Sequence, residues 1–410
     1  MKLITDISKD QYDAFVANHP TKSHFMQSYT WGDVWEKRGN TPHYVGLYDG
    51  EEIVAAALLL ERRMPLGLTY FYAPRGFVID FQNFELVKQF TKELKIYLKK
   101  YHAIFLKIDP DVVYQVIGKS HYPDDTIIKY LKQLGYQHKG FNKGFEHNQP
   151  RYTFRIDLTP SLDEIKKRMH ESTRKIINRN NPYELKVEIG DETDIKDFTE
   201  LMQITEKRDD FMALPYEHYY DFYTILHREG MADLYTLRVD FDALLKNRQN
   251  LLSEKEAVLK KQKQPNKIKE TEIQIEKIKK EIEEFQKMKK EYPNHLLISS
   301  IITVKYGNKV WTIHGGNHDI LKNLGANYQV YYQILLDAKK DGYEVLDMYG
   351  TDGYDENRGI HLFKKRFGGD YLEFIGEFDL VLSPMLYSLY QCFIPIYRKF
   401  TDHQIQSRGE

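Results

Sequence analysis

The 410-residue chain holds a single cysteine, Cys392, so neither an intrachain disulfide nor a multi-thiolate metal site can form within one copy. It also has almost no net charge. The 59 Lys and Arg residues against 60 Asp and Glu give a formal charge of -1, so any contact with a polyanion must come from local patches. Long hydrophobic runs are missing too: the longest, Ile53 to Leu60, falls far short of the roughly 20 residues of a membrane-spanning helix. Met1 to Tyr12 carries Lys2, Asp6, Lys9 and Asp10 and lacks an apolar stretch of signal-peptide length. These absences predict a protein of the reducing cytoplasm. No HExxH, Walker or Rossmann signature is present, and no metal or dissociable cofactor is expected from the residues. The Gln/Arg-x-x-Gly-x-Gly/Ala loop that cradles the pyrophosphate of an acyl-CoA is also missing.

What the chain has is enough apolar sequence for large cores, 41% hydrophobic residues, and an excess of aromatics, with 31 Tyr and 22 Phe. Both suit sheet-rich α/β packing, and the length predicts two domains. Helix and strand signals alternate. Helices are expected at Lys9 to Ala17, Gln27 to Arg38 and Phe84 to Lys100, with strands at Ile53 to Leu60 and Ala103 to Ile108. A similar order restarts at Arg151, with one basic helix from Leu162 to Asn178 and strands at Ala232 to Val239 and His295 to Val304. The expected organisation is a first α/β unit over 1–145, a second over 146–239 and 293–384, a helical arm over 240–292, and a terminal helix and tail over 385–410.

The arm has its own periodicity. Ile268, Thr271, Ile275, Ile278, Ile282 and Phe285 fall on one helical seam, and the pairs Leu244-Leu245, Leu251-Leu252 and Val258-Leu259 recur every seventh residue. A break at Gln264-Pro265-Asn266 predicts an antiparallel coiled-coil hairpin whose arms of roughly 24 residues extend about 36 Å. Its lysine-rich outer faces suit either solvent, RNA phosphates or self-association. The helix bearing Lys166, Lys167, Arg168, Arg174, Lys175 and Arg179 is a second basic surface suited to an RNA backbone.

Several fragments occur in an order that resembles the Fem aminoacyltransferases, which build peptidoglycan interpeptide bridges from aminoacyl-tRNA. They are Tyr72-Ala73-Pro74-Arg75-Gly76-Phe77-Val78, Leu106-Lys107-Ile108-Asp109-Pro110-Asp111-Val112, Gln149-Pro150-Arg151, Thr205-Glu206-Lys207-Arg208-Asp209, Phe363-Lys364-Lys365-Arg366-Phe367-Gly368-Gly369 and Gly376-Glu377-Phe378-Asp379. The resemblance spans Phe25 to Tyr390 and is nearest to the FemX-like branch that acts on lipid II. It implies a fold of two acetyltransferase-like subdomains with the hairpin inserted in the second.

The implied reaction joins an amino acid (Gly, Ala or Ser) from aminoacyl-tRNA, the co-substrate, to the side-chain amine of the stem-peptide lysine. The acceptor is either lipid II or the soluble UDP-MurNAc-pentapeptide. An aminoacyl ester is already activated, so its aminolysis needs a base for the amine and a cation beside the departing ribose oxygen. By resemblance Lys364, behind Phe363, is the cation, and either Asp109 or Asp111 serves the amine. Substrate-binding roles are implied for Lys37 (or Trp35 in that register), Arg75, Arg151, Arg208, Tyr219 and His314, and tRNA contacts for Lys166, Lys167, Arg174, Lys175 and Arg179. Two positions depart from the family pattern: Leu214 stands where relatives often have an arginine, and His314 where they often have a tyrosine. The aromatic helix from Met385 to Ile394, trailed by Arg398 and Lys399, either docks on the protein or makes a peripheral contact with the membrane. Two other readings are an acyl-CoA-dependent N-acyltransferase and a non-catalytic RNA-binding or adaptor module.

Overall fold

The structure, a computed structural model, describes residues 1–64, 67–120, 122–144, 148–178, 185–209, 213–293, 295–321, 324–351, 353, 357 and 359–392, with the side chains of 208 and 209 excepted. The first half contains β1 (Lys2–Ile4), α1 (Lys9–Asn18), α2 (Tyr29–Lys37), β2 (Thr41–Asp49), β3 (Glu52–Arg63), β4 (Thr69–Ala73), α3 (Phe84–Lys99), β5 (Ala103–Ile108), β6 (Val113–Val116), α4 (Thr126–Gln133) and β7 (Tyr136–His138). The second contains β8 (Tyr152–Asp157), α5 (Leu162–Arg168), α6 (Glu171–Ile177), β9 (Val187–Gly190), α7 (Ile195–Asp209), α8 (Tyr216–Arg228) and β10 (Ala232–Val239). After the arm helices α9 (Phe241–Lys261) and α10 (Pro265–Glu291) come β11 (Leu296–Tyr306), β12 (Lys309–Asn317), α11 (Ala326–Lys340), β13 (Val345–Asp347), α12 (Gly359–Lys365), β14 (Asp370–Phe374) and β15 (Phe378–Val381). A last helix, α13, covers 384–392.

Two mixed sheets result, one in the order β1-β2-β3-β4-β5-β15-β7 and one in the order β6-β14-β8-β13-β12-β11-β10-β9. The expected α/β class with two subdomains is therefore what is observed. The units exchange strands. β6 leaves the first half to pair with β14, and β15 leaves the second to lie between β5 and β7. Neither sheet is built from one side of residues 145/146 alone.

The apolar run in β3 reads as continuous because both faces are covered. Ala55, Ala57 and Leu59 join a core with α3 residues Val87, Phe90 and Leu94, while Ala56, Leu58 and Leu60 face a second core. That second core takes Tyr12, Phe25 and Trp31 from the first unit and Phe198, Tyr219, Phe222 and Trp311 from the second. The units are thus joined by shared apolar burial as well as by strands.

In the arm, Thr271, Ile275, Ile278 and Phe285 are buried as the seam predicts, and Ile268 and Ile282 are half-buried. Pro265 opens α10, where its missing N–H costs nothing. On α9 Leu244 is buried, whereas Val258, near the tip, is 50% exposed. Arg248, buried within the seam, meets Glu281 at 3.6 Å.

The expected single basic helix from Leu162 to Asn178 is instead two. Met169 is extended, His170 caps α6 through Ser172 N–H, and the His170 N–H donates to the Arg366 carbonyl. The Phe-Gly-Gly corner after α12 forces this turn: a Cβ on Gly368 would lie 2.4 Å from the Arg168 carbonyl oxygen. α13 docks by Leu386, Tyr387 and Tyr390 against Ile104, Phe105 and Tyr70. No helix among the described residues is long and apolar enough to cross a membrane.

Candidate functional site

The two strand crossovers meet in one place. β4 and β5 run parallel with Ala73 opposite Ile108, so Arg75 and Asp109 emerge side by side where the strands end. Pro110 carries no N–H and closes β5. The chain then crosses to β6 through Asp111 and Val112, and the return crossover docks on it by the Ile375 N–H donating to the Val112 carbonyl. Gly376 turns that return at φ 87°, where a side chain would be strained.

Asp109 is buried. Its Oδ1 accepts the Arg75 N–H at 2.6 Å and its Oδ2 accepts the Tyr72 hydroxyl at 2.7 Å. Burial pushes its carboxyl up to about 7; Arg75 opposes the rise and Glu377 adds to it. Arg75 itself adopts φ 54° and donates to the Pro150 carbonyl at 2.6 Å, with its guanidinium 4.6 Å over the Phe374 ring. Asp111 sits in a different environment. Arg155 bonds both of its oxygens at 2.9 and 2.8 Å, and Lys309 lies at 3.9 Å. Burial alone would raise the Asp111 carboxyl, but Arg155, Lys309, His24 and Lys22 hold it well below the usual range. Arg155 also binds Asp347 at 2.7 Å, so Asp111 belongs to an ionic tie between the sheets.

Lys364 reaches the same region from the second unit. Buried at the end of α12, its ammonium donates to the carbonyls of Tyr349 at 2.7 Å and Gly350 at 2.6 Å. Burial lowers it to about 7, with Asp347 opposing. Tyr349, in a left-handed conformation at φ 52°, is pinned by its N–H to Asp347 Oδ1 at 2.8 Å, and its hydroxyl donates to Gln149 Oε1. Lys364 thus holds the backbone of Tyr349, whose hydroxyl bonds Gln149 and lies in the field of the Arg75 and Asp109 charges. The contact of Tyr349 with Gln149 is not visible in the sequence, because the two lie in segments far apart in the chain.

Phe363 points elsewhere. Its ring packs against Tyr328, Tyr331 and Phe367 and lines a cavity of about 210 Å³ with Ile298, Asn317, Leu321, Asn327 and Tyr328. The cavity opens near the start of α11 and the root of the arm, where Tyr292 and His318 meet edge to face.

The other expected site residues are spread around this centre. Arg151 is buried, paired with Glu373 and donating to the Phe374 carbonyl at 3.0 Å. Lys37 is exposed in the last turn of α2. Beside it Trp35 is flanked by Arg38 at 5.2 Å and Arg62 at 4.4 Å. Burial lowers both guanidiniums, Arg38 to about 10, with Asp221 opposing and Arg62 adding to the fall. Among the described residues neither is in an ion pair; Arg38 donates to the His218 carbonyl at 3.3 Å and Arg62 to Asn40 Oδ1 at 2.5 Å. The pair is not visible in the sequence, where Arg62 merely follows the apolar run Ile53 to Leu60.

His314 lies on β12 at a bulge and packs on Tyr219 at 5.2 Å, Phe222 at 5.0 Å and His218 at 6.2 Å. Burial lowers it to about 3, so it is neutral near pH 7. The Tyr219 hydroxyl accepts the Leu214 N–H at 3.1 Å. Arg208 is in the last turn of α7, with its side chain outside the described atoms.

Of the basic helix residues, Lys166 lies 5.4 Å over Tyr332, Lys167 is exposed, Arg174 donates to the Lys167 carbonyl at 3.1 Å, and Lys175 pairs with Glu171 at 2.6 Å. Arg179 lies outside the described residues.

Residues 7–394 match the FemAB family. The chain is 28% identical over 401 residues to the lipid II:glycine glycyltransferase of Staphylococcus haemolyticus, covering 94% of each chain. It is 28% identical over 402 residues to the enzyme of the same name from Staphylococcus aureus, covering 93% of this chain and 94% of that one. The crystal structure of FemX superimposes with a TM-score of 0.78 at 27% identity, covering 95% of this chain and 99% of that chain.

Proposed function

This chain is a member of the FemAB family, and we propose that it transfers glycine from aminoacyl-tRNA to the stem-peptide lysine amine of lipid II, starting the interpeptide bridge. The observation that carries the reading is that the Lys364 ammonium, from the second unit, holds the carbonyl of Tyr349, whose phenol faces the Asp109 and Arg75 charges of the first. The glycyltransferase names of the similar staphylococcal enzymes favour glycine over alanine or serine, and lipid II over the soluble precursor.

The chemistry follows from the side chains. The neutral amine attacks the ester carbonyl carbon; as the C–N bond forms, its excess proton passes to Asp109, a base poised near neutrality. The C–O bond to the ribose then breaks. Two of the three Lys364 ammonium protons are held by carbonyls, leaving one to donate to the departing ribose oxygen, which leaves as a hydroxyl. Asp109 serves the amine because Asp111 is locked by Arg155. The tRNA backbone lies along the basic faces of α5 and α6 and the arm. Lys37, Arg38 and Arg62 hold the diphosphate of the acceptor, in place of the arginine that Leu214 does not supply. The outward Met385 and Leu389 of α13, 73% and 50% exposed, face the membrane that carries lipid II.

The test is to incubate the protein with a pool of tRNAs charged with different labelled amino acids and purified lysine-containing lipid II, then identify the product by mass spectrometry. Lipid II carrying one glycine is expected. Product formed only from labelled acetyl-CoA, or on the soluble precursor alone, would contradict the reading.

A further inference from the structure

The two carbonyls that hold the Lys364 ammonium belong to consecutive residues, Tyr349 and Gly350, in a short excursion from the second sheet. The chain is anchored to β8 on either side of it. The Met348 N–H donates to the Phe154 carbonyl at 2.8 Å and the Thr351 N–H to the Tyr152 carbonyl at 3.0 Å. Between these anchors Tyr349 takes φ 52°, a conformation that an aromatic residue keeps only where its surroundings impose it. Asp347, the last residue of β13, imposes it: its Oδ1 accepts the Tyr349 N–H at 2.8 Å, two residues along the chain. The carboxylate is itself fixed from β8, where Thr153 Oγ1 donates to the same oxygen at 2.5 Å and Arg155 Nε to the other at 2.7 Å. Each link from Asp347 through Tyr349 to the ammonium is thus a direct hydrogen bond.

Resting on the function proposed above, we propose that Asp347 is a positioning residue for Lys364: its carboxylate shapes the turn so that the Tyr349 and Gly350 carbonyls both face the ammonium, which leaves the third proton for the departing ribose oxygen. Arg155 carries the arrangement towards the first unit, since its Nη2 also grips both oxygens of Asp111 in the crossover that follows β5. The charge facing Lys364 is that of Asp347, which favours the ammonium against its burial. On the same helix, His361 packs on Phe154 of β8 and Tyr371 of β14, and from α11 Tyr328 and Tyr331 pack on Phe363. Facing Asp347 are Arg155 of β8, Lys309 of β12 and Tyr349. None of these neighbours is removed by changing Asp347, so a change in the titration of Lys364 would report the carboxylate itself.

The experiment compares the wild type with two variants. Asp347→Asn keeps an oxygen for the Tyr349 N–H but loses the charge, and the nearly isosteric Thr153→Val keeps the charge but loses one bond that fixes the carboxylate. The pH dependence of transfer from glycyl-tRNA to lipid II is measured for each, and Lys364 is titrated by carbon-13 NMR in protein labelled at the lysine Cε, assigned with Lys364→Met. Losing a negative charge favours the neutral amine, so in Asp347→Asn the basic limb and the Lys364 titration should both move to lower pH by about half a unit or more. Transfer at pH 7 should fall about tenfold with KM for lipid II nearly unchanged. Thr153→Val should lose about threefold with its limbs in place. Because Asp347 acts through Lys364, the double variant Asp347→Asn/Lys364→Met should be no slower than Lys364→Met. An unmoved limb and titration in folded Asp347→Asn, or a double variant slowed by the product of the two single losses, would overturn the proposal. Should Asp347→Asn fail to fold, Thr153→Val decides, and the wild-type rate there would overturn it. If the wild type transfers nothing, the proposed function fails, and the NMR titration still decides whether Asp347 governs Lys364.

Discussion

At Lys364 the buried ammonium has two backbone carbonyls and, through Tyr349 N–H, an indirect link to Asp347. In the proposed mechanism a lysine lowered to about 7 and a carboxyl raised to about 7 set the pH dependence of the reaction. Ionised Asp109 is the active form, so rate rises as pH climbs through its pKa. Charged Lys364 is the active form, so rate falls as pH climbs through its own. A bell with both limbs close to neutrality is expected from kcat against pH. Asp109→Asn should flatten the acid limb; a profile that still falls through neutrality on the acid side would place the base elsewhere. A second expectation concerns the guanidiniums on Trp35. Arg38→Met and Arg62→Met should each raise KM for lipid II about tenfold with kcat nearly unchanged, because they remove ground-state binding to phosphate. A fall in kcat at constant KM would assign them to another role. Asp109 and Lys364 were legible in sequence because each sits in a motif. The contacts of Arg38, Arg62 and Tyr349 were not, because each is made with a partner from a distant segment.

Single elements were legible where one physical signal dominated. β3 and β5 stood out as apolar runs, and α10 showed its seam at Ile275, Ile278 and Phe285. The break between α5 and α6 was hidden, since nothing in Arg168-Met169-His170 stops a helix. Its cause is the close approach of Gly368 from the far end of the second unit. Gly368→Ala should therefore lower Tm by several degrees, since the new Cβ meets backbone that cannot swing aside; an unchanged melting curve would show that α5 and the corner can separate freely. The arm and the basic helices share a different expectation. Affinity for tRNA should fall steeply as salt rises, with a log–log slope of about 0.7 to 0.9 per phosphate contacted. Replacing Lys167 and Lys175 together should reduce that slope, and a slope unaffected by the pair would remove these helices from the RNA contact.

At the scale of the molecule, the exchange of β6 and β15 makes the two units one structure. The exchange was illegible in sequence because Val113–Val116 is short and largely half-buried, with no pattern to say which sheet it joins. β15, by contrast, buries Phe378 and Leu380 in the first core. A fragment of residues 1–145 would leave the β5 edge unpaired and half of the shared core open. It should not fold as a monomer, and a well-dispersed NMR spectrum from it would contradict this architecture. The proposed joint action of Asp109 and Lys364, one from each unit, is the central claim. It is tested most directly by single-turnover transfer from labelled glycyl-tRNA to purified lipid II, with enzyme in excess, for the wild type, Asp109→Asn and Lys364→Met. The expected result is one glycine added by the wild type and a rate about a hundredfold lower or less in each variant, with tRNA binding retained. Transfer at the wild-type rate by folded Lys364→Met, or none by the folded wild type, would contradict it.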